Sequence, residues 1–261
     1  MPLATLQSVD ARRWEADQSR AIVETLAVEL PVELRCNGQP YAVMLATPAD
    51  LADFALGFAL TERLIESPAE LLGVEVLERD GGVQLDLRIP GARLGAVLGR
   101  ERNLAGRAGC GICGTATLAE AIRPVRSVSA AAPRLGRAAL LDGLQRLAAL
   151  QPLNQSSGAL HAAVVIGTDG AFTVREDVGR HNAIDKAIGG ALSAGRQPQS
   201  LLVTSRASYE VVHKAAEVGC TLVAAVSAPT SLALQLAREA GITLVGWARP
   251  PRLTVYSGAF E

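Results

Sequence analysis

Apolar and polar residues along this chain change period several times, and each change predicts an element. From Ile22 to Arg35 acidic and apolar side chains alternate as in a half-buried strand; Asn37-Gly38 is a tight-turn pair, and Tyr41–Leu45 resumes the alternation, so a β-hairpin is predicted. Leu51, Phe54, Ala55, Phe58 and Ala59 then recur at helical spacing. Thr47-Pro48-Ala49-Asp50 precedes them with an N-cap and a proline at the first helical position, which predicts a helix over Ala49–Ile65. Val74–Glu78 and Val83–Ile89 flank Asp80-Gly81-Gly82 as a second hairpin, so this first part reads as α+β.

Pro124–Arg137 is rich in Ala, Ser, Pro and Arg and has no period, so it reads as a linker between an α+β N-terminal domain (1–130) and a second domain (131–261). Beyond it a helix is predicted over Ala138–Leu150, then strands Leu160–Gly167 and Ala171–Val178 about the turn Thr168-Asp169-Gly170. Helix Asn182–Ala194, strand Leu201–Thr204, helix Tyr209–Val218, strand Thr221–Val226, helix Ser231–Glu239 and strand Ile242–Trp247 follow. Alternating helices and apolar strands predict a parallel or mixed sheet covered on both faces, an α/β fold with three layers, α/β/α.

With 261 residues, 49% of them hydrophobic, the chain can build a substantial core, and a net charge of −1 argues against wholesale binding to nucleic acid or a membrane surface. The expected partner is a protein or a small molecule. The N-terminus MPLATLQSVDARRWEADQ lacks an apolar signal region and no apolar run approaches membrane-spanning length, so the expected location is the cytoplasm, where thiols stay reduced.

That matters for GRAGCGICGTATLAEAI, where Cys110 and Cys113 stand three residues apart among Gly109, Gly111 and Gly114. The glycines permit positive φ and leave the sulfurs uncovered. Arg100, Arg102 and Arg107, opposed only by Glu101, favour thiolate. Thr117 and Glu120 have capping-box spacing, which places the positive end of a helix behind the loop. Four readings compete. Zinc wants a second ligand pair, but Cys36 and Cys220 are isolated in strand-like segments, so no metal site is expected. A thioredoxin-like redox pair wants a preceding strand, and RLGAVLGRERNLAG is a poor one. A glycine turn without chemistry and a cysteine that carries sulfur as a persulfide complete the set.

In such sheets ligands sit at the carboxyl ends of the strands, and several predicted strand ends here are polar. REDVGRHN places Arg175, Glu176, Asp177, Arg180, His181 and Asn182 together, though Asn182 and Asp185 also have capping spacing. Thr204–Ser208 brings Ser205 and Arg206, and Ser227–Ser231 brings further hydroxyls; each also reads as a simple N-cap. In Gly246–Arg252, Trp247 and two arginines share a proline-stiffened loop, where a purine could stack and phosphate could be held. Together these loops suit a nucleotide-sized anion, and neither a Walker A motif nor G-x-G-x-x-G is present.

CGICG, SSGALHAA, REDVGRHNAIDKAIG, SRASYEVVHKAA, SAPTSLALQLA and GITLVGWARPPRLTVYSG together resemble the FdhD/NarQ family of sulfur carrier proteins required for formate dehydrogenase activity. The similarity runs in order from the CNG hairpin and TPADLADFALGF to the C-terminus. It implies a C-terminal domain resembling the cytidine deaminase fold. It also implies a sulfurtransferase that takes persulfide sulfur from a cysteine desulfurase on Cys110, with Cys113 assisting. The sulfur would pass to the molybdenum or tungsten bis(molybdopterin guanine dinucleotide) cofactor, bound as substrate and possible to mimic with a guanine nucleotide, for use by formate dehydrogenase. By motif position Trp247, Ala248, Arg249, Pro250, Pro251 and Arg252 would contact that cofactor, and a homodimer is expected. His161, Arg180, His181, Ser205 and Arg206 are added from their polarity at strand ends.

Two departures stand out. Thr204-Ser205-Arg206 lies where relatives often have glycine, and Glu62-Arg63-Leu64-Ile65 where they commonly read EG-I-I. Deamination is not expected, because His161 is followed by Ala-Ala-Val instead of x-Glu and the CxxC precedes it. Two other functions stay open: a cofactor-binding chaperone without sulfur transfer, and a redox or zinc-binding regulator built on the CxxC.

Overall fold

In the computed structural model, residues 3–95, 122–129 and 135–260 are described. Strands β1 (Leu6–Glu15) and β2 (Gln18–Ala27) pair antiparallel as a two-stranded sheet. Strands β3 (Leu30–Cys36), β4 (Gln39–Ala46), β5 (Gly73–Arg79) and β6 (Gly82–Arg88) form a second sheet in the order β4-β3-β6-β5. In β3 and β6 alternate residues Val32, Leu34, Cys36, Val83, Leu85 and Leu87 are buried, the period-2 pattern of a sheet with one covered face. Helix α1 (Leu51–Thr61) supplies Phe54 and Phe58 to the same core.

The six-stranded sheet has the order β12-β11-β10-β9-β7-β8, from β7 (His161–Gly167), β8 (Phe172–Asp177), β9 (Pro198–Val203), β10 (Leu222–Ala225), β11 (Thr243–Arg249) and β12 (Arg252–Ser257). Strands β9, β10 and β11 run parallel, whereas β7 and β12 run against their neighbours, so the sheet is mixed. One face packs on α4 (Arg180–Ser193), α5 (Tyr209–Glu217) and α6 (Ser231–Ala240). The opposite face packs on Leu140, Leu144 and Leu147 of α2 (Arg137–Ala149), which completes the three α/β/α layers. A short helix, α3 (Pro152–Ser157), links α2 to β7 and touches β2.

Two sequence expectations change, and one strand lies where none was expected. The strand predicted over Ile22–Arg35 is two strands in different sheets, β2 and β3, because alternation does not report a change of pairing partner. Strand β1 carries no such alternation: the hairpin is exposed on most of its residues and lacks a buried face to impose a period. The helix predicted over Ala49–Ile65 spans only Leu51–Thr61, because Arg63 takes φ 57 and the Leu64 N–H donates back to Ala59 O; Leu64 and Ile65 are buried without being helical. The predicted boundary after residue 130 falls outside the described residues.

Helix α1 is buried on almost every side because it lies between the four-stranded sheet and α4. The two helices touch backbone to backbone. A Cβ added at Gly57 would stand 1.8 Å from Asp185 O, and one at Gly189 would stand 1.9 Å from Asp53 O. Charged groups close around this crossing. Lys186 Nζ, fully buried, donates to Asp177 Oδ2 at 2.6 Å and to Thr47 O at 2.7 Å. Lys214 Nζ donates to both Asp185 oxygens at 2.9 Å, to Thr61 Oγ1 at 2.9 Å and to Glu62 Oε1 at 3.3 Å. Burial would raise the Glu62 carboxyl, but Lys214 and Arg123 outweigh it and hold the group down at about 2. Glu217 accepts from Arg63 and Arg126 and stands 3.6 Å from His213 Nε2.

Gly57→Ala should lower unfolding free energy by about 1–3 kcal/mol in urea titration, because neither backbone can yield, whereas Gly91→Ala, which meets nothing within 4 Å, should be neutral. Burial pushes the His213 imidazole down to about 4, and Arg123 and Arg63 reinforce this against the pull of Glu217. Between about 4 and the ordinary 6.5 the unfolded chain therefore holds a proton at this residue that the folded protein does not, so stability from this group rises with pH across that window. His213→Gln should flatten the slope of stability against pH there; an unaltered slope would remove His213 as its source.

Candidate functional site

Because β8, β9, β10 and β11 point the same way and β7 and β12 the opposite way, one edge of the sheet collects four strand ends and two strand starts. The first residues of α4, α5 and α6 follow at that edge. His161, Arg180, His181, Ser205, Arg206 and the Trp247–Arg252 turn, scattered over 92 positions of sequence, all lie along it. Edges of this kind are where α/β sheets bind ligands.

Asp177 organises the β8 end. Fully buried, it accepts from Thr47 N (3.0 Å), Gly179 N (2.7 Å), Asn182 Nδ2 (3.0 Å) and Lys186 Nζ (2.6 Å). Val178 N donates to Thr47 Oγ1, and Asn182 Nδ2 also donates to Leu45 O. Two capping expectations are thereby corrected. Thr47 does not cap α1, since its polar groups are taken by residues of β8 and α4. Asn182 and Asp185 do not cap α4, which begins two residues earlier than predicted, after Gly179, with no side-chain cap; Asp185 instead faces Lys214.

The next two loops are laced together: Ala207 and Pro229 form a bridge and Thr230 N donates to Ala207 O. Thr204 Oγ1 accepts from Ala162 N and Ser205 Oγ donates to Arg206 O, while the Arg206 side chain is exposed. Thr230 caps α6 through Ala233 N, the plain reading of that loop. Ser208 does not cap α5; its hydroxyl donates to Glu210 Oε2 at 2.6 Å.

The last element differs from expectation. Strand β11 runs on to Arg249, and Arg252 begins β12, a strand the sequence pattern did not reveal, so Pro250-Pro251, joined by a cis peptide bond, is the tip of a hairpin. Trp247 sits on a bulge of β11 at φ 50 and is exposed, its N–H donating to Ser227 O. Arg249, Pro250, Pro251 and Arg252 are also exposed, and Arg249 is steadied by Nε donating to Val226 O. Ala248 is the exception. Its side chain packs into the core with Val245 and Leu140, so any ligand contact there falls to its backbone.

His161 and His181 come together beside Arg180. Burial lowers the His161 imidazole, and Arg180 and His181 add to the effect, so His161 is a neutral acceptor at neutral pH. The edge thus offers exposed guanidinium groups, an exposed indole, backbone N–H groups of three helix starts and two imidazoles, a set suited to a phosphate-bearing aromatic ligand.

Cys110 and Cys113, with Arg100, Arg102, Arg107, Thr117 and Glu120, lie outside the described residues. Cys36 and Cys220 are buried in separate cores, and burial pushes the Cys220 thiol up to about 12, so it is inert as a nucleophile. Among the described residues, no helix is long and apolar enough to cross a membrane. The sequence pattern missed Glu210, Lys186 and Lys214; the signal available was charged residues within otherwise apolar helical stripes.

A model described as the FdhD/NarQ family matches residues 27–261. The "Sulfur carrier protein FdhD" of Variovorax paradoxus (strain S110) is 45% identical over 256 residues, covering 97% of this chain and 87% of that protein. The protein of the same description from Xanthomonas campestris pv. campestris (strain B100) is 46% identical over 250 residues, covering 94% and 88%. The crystal structure of a formate dehydrogenase accessory protein from Desulfotalea psychrophila shares the fold, with a TM-score of 0.74, 20% identity and 98% of both chains covered. With the match starting at the last residue of β2 and running to the last residue of the chain, the chain belongs to the FdhD/NarQ family.

Proposed function

We propose that this protein is a sulfur carrier for formate dehydrogenase maturation, with sulfur held as a persulfide on Cys110 and a guanine dinucleotide cofactor held at the polar edge of the six-stranded sheet. The carrying observation is that one edge gathers Arg180, His181, Arg206, Trp247, Arg249 and Arg252. Membership in a family whose relatives are named sulfur carriers supports the same reading.

The chemistry balances without an added oxidant. The Cys110 thiolate attacks the outer sulfur of a persulfide on a cysteine desulfurase; that S–S bond breaks, the desulfurase thiolate leaves, and the new S–S bond sits on Cys110. In delivery the outer sulfur leaves Cys110 as neutral sulfur and takes two electrons from the reduced metal to become its sulfido ligand, which restores the Cys110 thiolate. Cys113 assists. Trp247 stacks on the purine, Arg249 and Arg252 hold phosphate, and the molybdenum or tungsten bis(molybdopterin guanine dinucleotide) is the substrate. The acceptor enzyme is a formate dehydrogenase.

Incubation with a cysteine desulfurase and cysteine should add the mass of one sulfur to the intact protein, and Cys110→Ala should abolish both that gain and formate dehydrogenase maturation. A wild-type protein that gains no sulfur would point instead to a chaperone that only holds the cofactor. Arg249→Ala combined with Arg252→Ala should weaken guanosine diphosphate binding by about tenfold or more in calorimetry, as expected for loss of two phosphate contacts. Equal affinity in both proteins would remove the β11–β12 turn from the site.

A further inference from the structure

His181 and Glu210 meet in a way that the sulfur-carrier reading does not use. His181 is the second residue of α4 and 5% exposed, and its Nε2 is enclosed without a hydrogen-bond partner. The carboxylate oxygen Glu210 Oε2, on α5, stands 3.7 Å from it. That oxygen is fixed from its other side by Ser208 Oγ, which donates at 2.6 Å. Burial would raise the Glu210 carboxyl, but the imidazole, Ser208 and its own backbone N–H hold it down at about 2. Glu210 is therefore ionised and acceptor-only at neutral pH.

The other charged groups around the ring do not compete for its proton. Arg180 offers donors only. Asp177, at the end of β8, is already supplied by four donors, Thr47 N, Gly179 N, Asn182 Nδ2 and Lys186 Nζ. His161, on β7, is held neutral by burial and by the charge of Arg180. In a neutral imidazole the partner of one nitrogen decides which nitrogen carries the hydrogen. A buried nitrogen facing a carboxylate is the protonated one, since a lone pair there would face a negative oxygen with water excluded.

We propose that Glu210 is a positioning residue: in the neutral ring it keeps the His181 proton on Nε2, and so leaves Nδ1 as the acceptor for an N–H or O–H of a guanine nucleotide bound at the sheet edge. The ligand part of this inference rests on the nucleotide reading above; the Glu210–His181 pairing does not.

Long-range ¹H–¹⁵N correlation spectra of the full-length protein at neutral pH read the two ring nitrogens directly, and the chain's three histidines are separable by single substitution. Wild-type His181 should show the Nε2–H tautomer, and Glu210→Gln should shift the ring toward a mixture. The same substitution should weaken guanosine diphosphate binding by about tenfold in calorimetry, the loss of one oriented hydrogen bond. Ser208→Ala, which removes only the prop on the carboxylate, should do both to a smaller degree and serves if Glu210→Gln does not fold. A wild-type ring protonated on Nδ1, or a tautomer unmoved by both substitutions, overturns the pairing. Guanosine diphosphate bound equally by wild type and Glu210→Gln overturns the positioning role. If wild type binds no guanosine diphosphate at all, the nucleotide reading fails, and the ring spectra still decide the pairing.

Discussion

The fully buried pair of Lys186 and Asp177 is the contact on which the arrangement of this protein depends. Taking two charges out of water is costly, and the cost is offset only where every remaining donor and acceptor finds a partner. Here those partners come from both halves of the chain: Thr47 N and O from the connection between β4 and α1, Gly179 N and Asn182 Nδ2 from the start of α4. An apolar pair of similar volume could stabilise as much, but it would not dictate one relative placement. The ion pair does, because its hydrogen bonds are satisfied only when residue 47 and residue 177 stand side by side.

The same contact sets the candidate site. Asp177 ends β8, and the residues it ties down lead directly into Arg180 and His181. A second charged cluster, Lys214 with Asp185, Thr61 and Glu62, fastens the middle of α4 to α5, which carries Glu210 in its first turn with Ser208 just before it. The bare backbone contact at Gly57 and Gly189 lets the helices approach closely enough for both clusters to close. Packing between the halves and the shape of the sheet edge are thus one problem solved once.

Much of this was legible in advance where apolar residues cluster locally along the chain. Strands β7 to β11 showed as short apolar runs, because both faces of the sheet are covered, and helices α2, α4, α5 and α6 showed as longer ones; their ends were misplaced by three residues at most, whereas β12 left no signal. Legibility failed where a residue's role depends on a distant partner. Thr47 followed by proline has the form of a helix cap, yet its groups go to Asp177, Val178 and Lys186, more than a hundred positions away. Ala248 sits inside a run of polar and aromatic candidates, yet the bulge at Trp247 turns its side chain inward.

What the sequence by itself determined is the class of the fold, the membership of the family and the residue types available to bind an anion, because hydrophobic period and motif order are local properties of the chain. Only the tertiary structure decided which of those residues share an edge. Strand direction and order place His161, Arg180, Ser205 and Arg252 together, and neither is written in any one segment. The pairing of His181 with Glu210 belongs to the same category: two helices carry those side chains, and only their packing against a common sheet brings a carboxylate to face an imidazole.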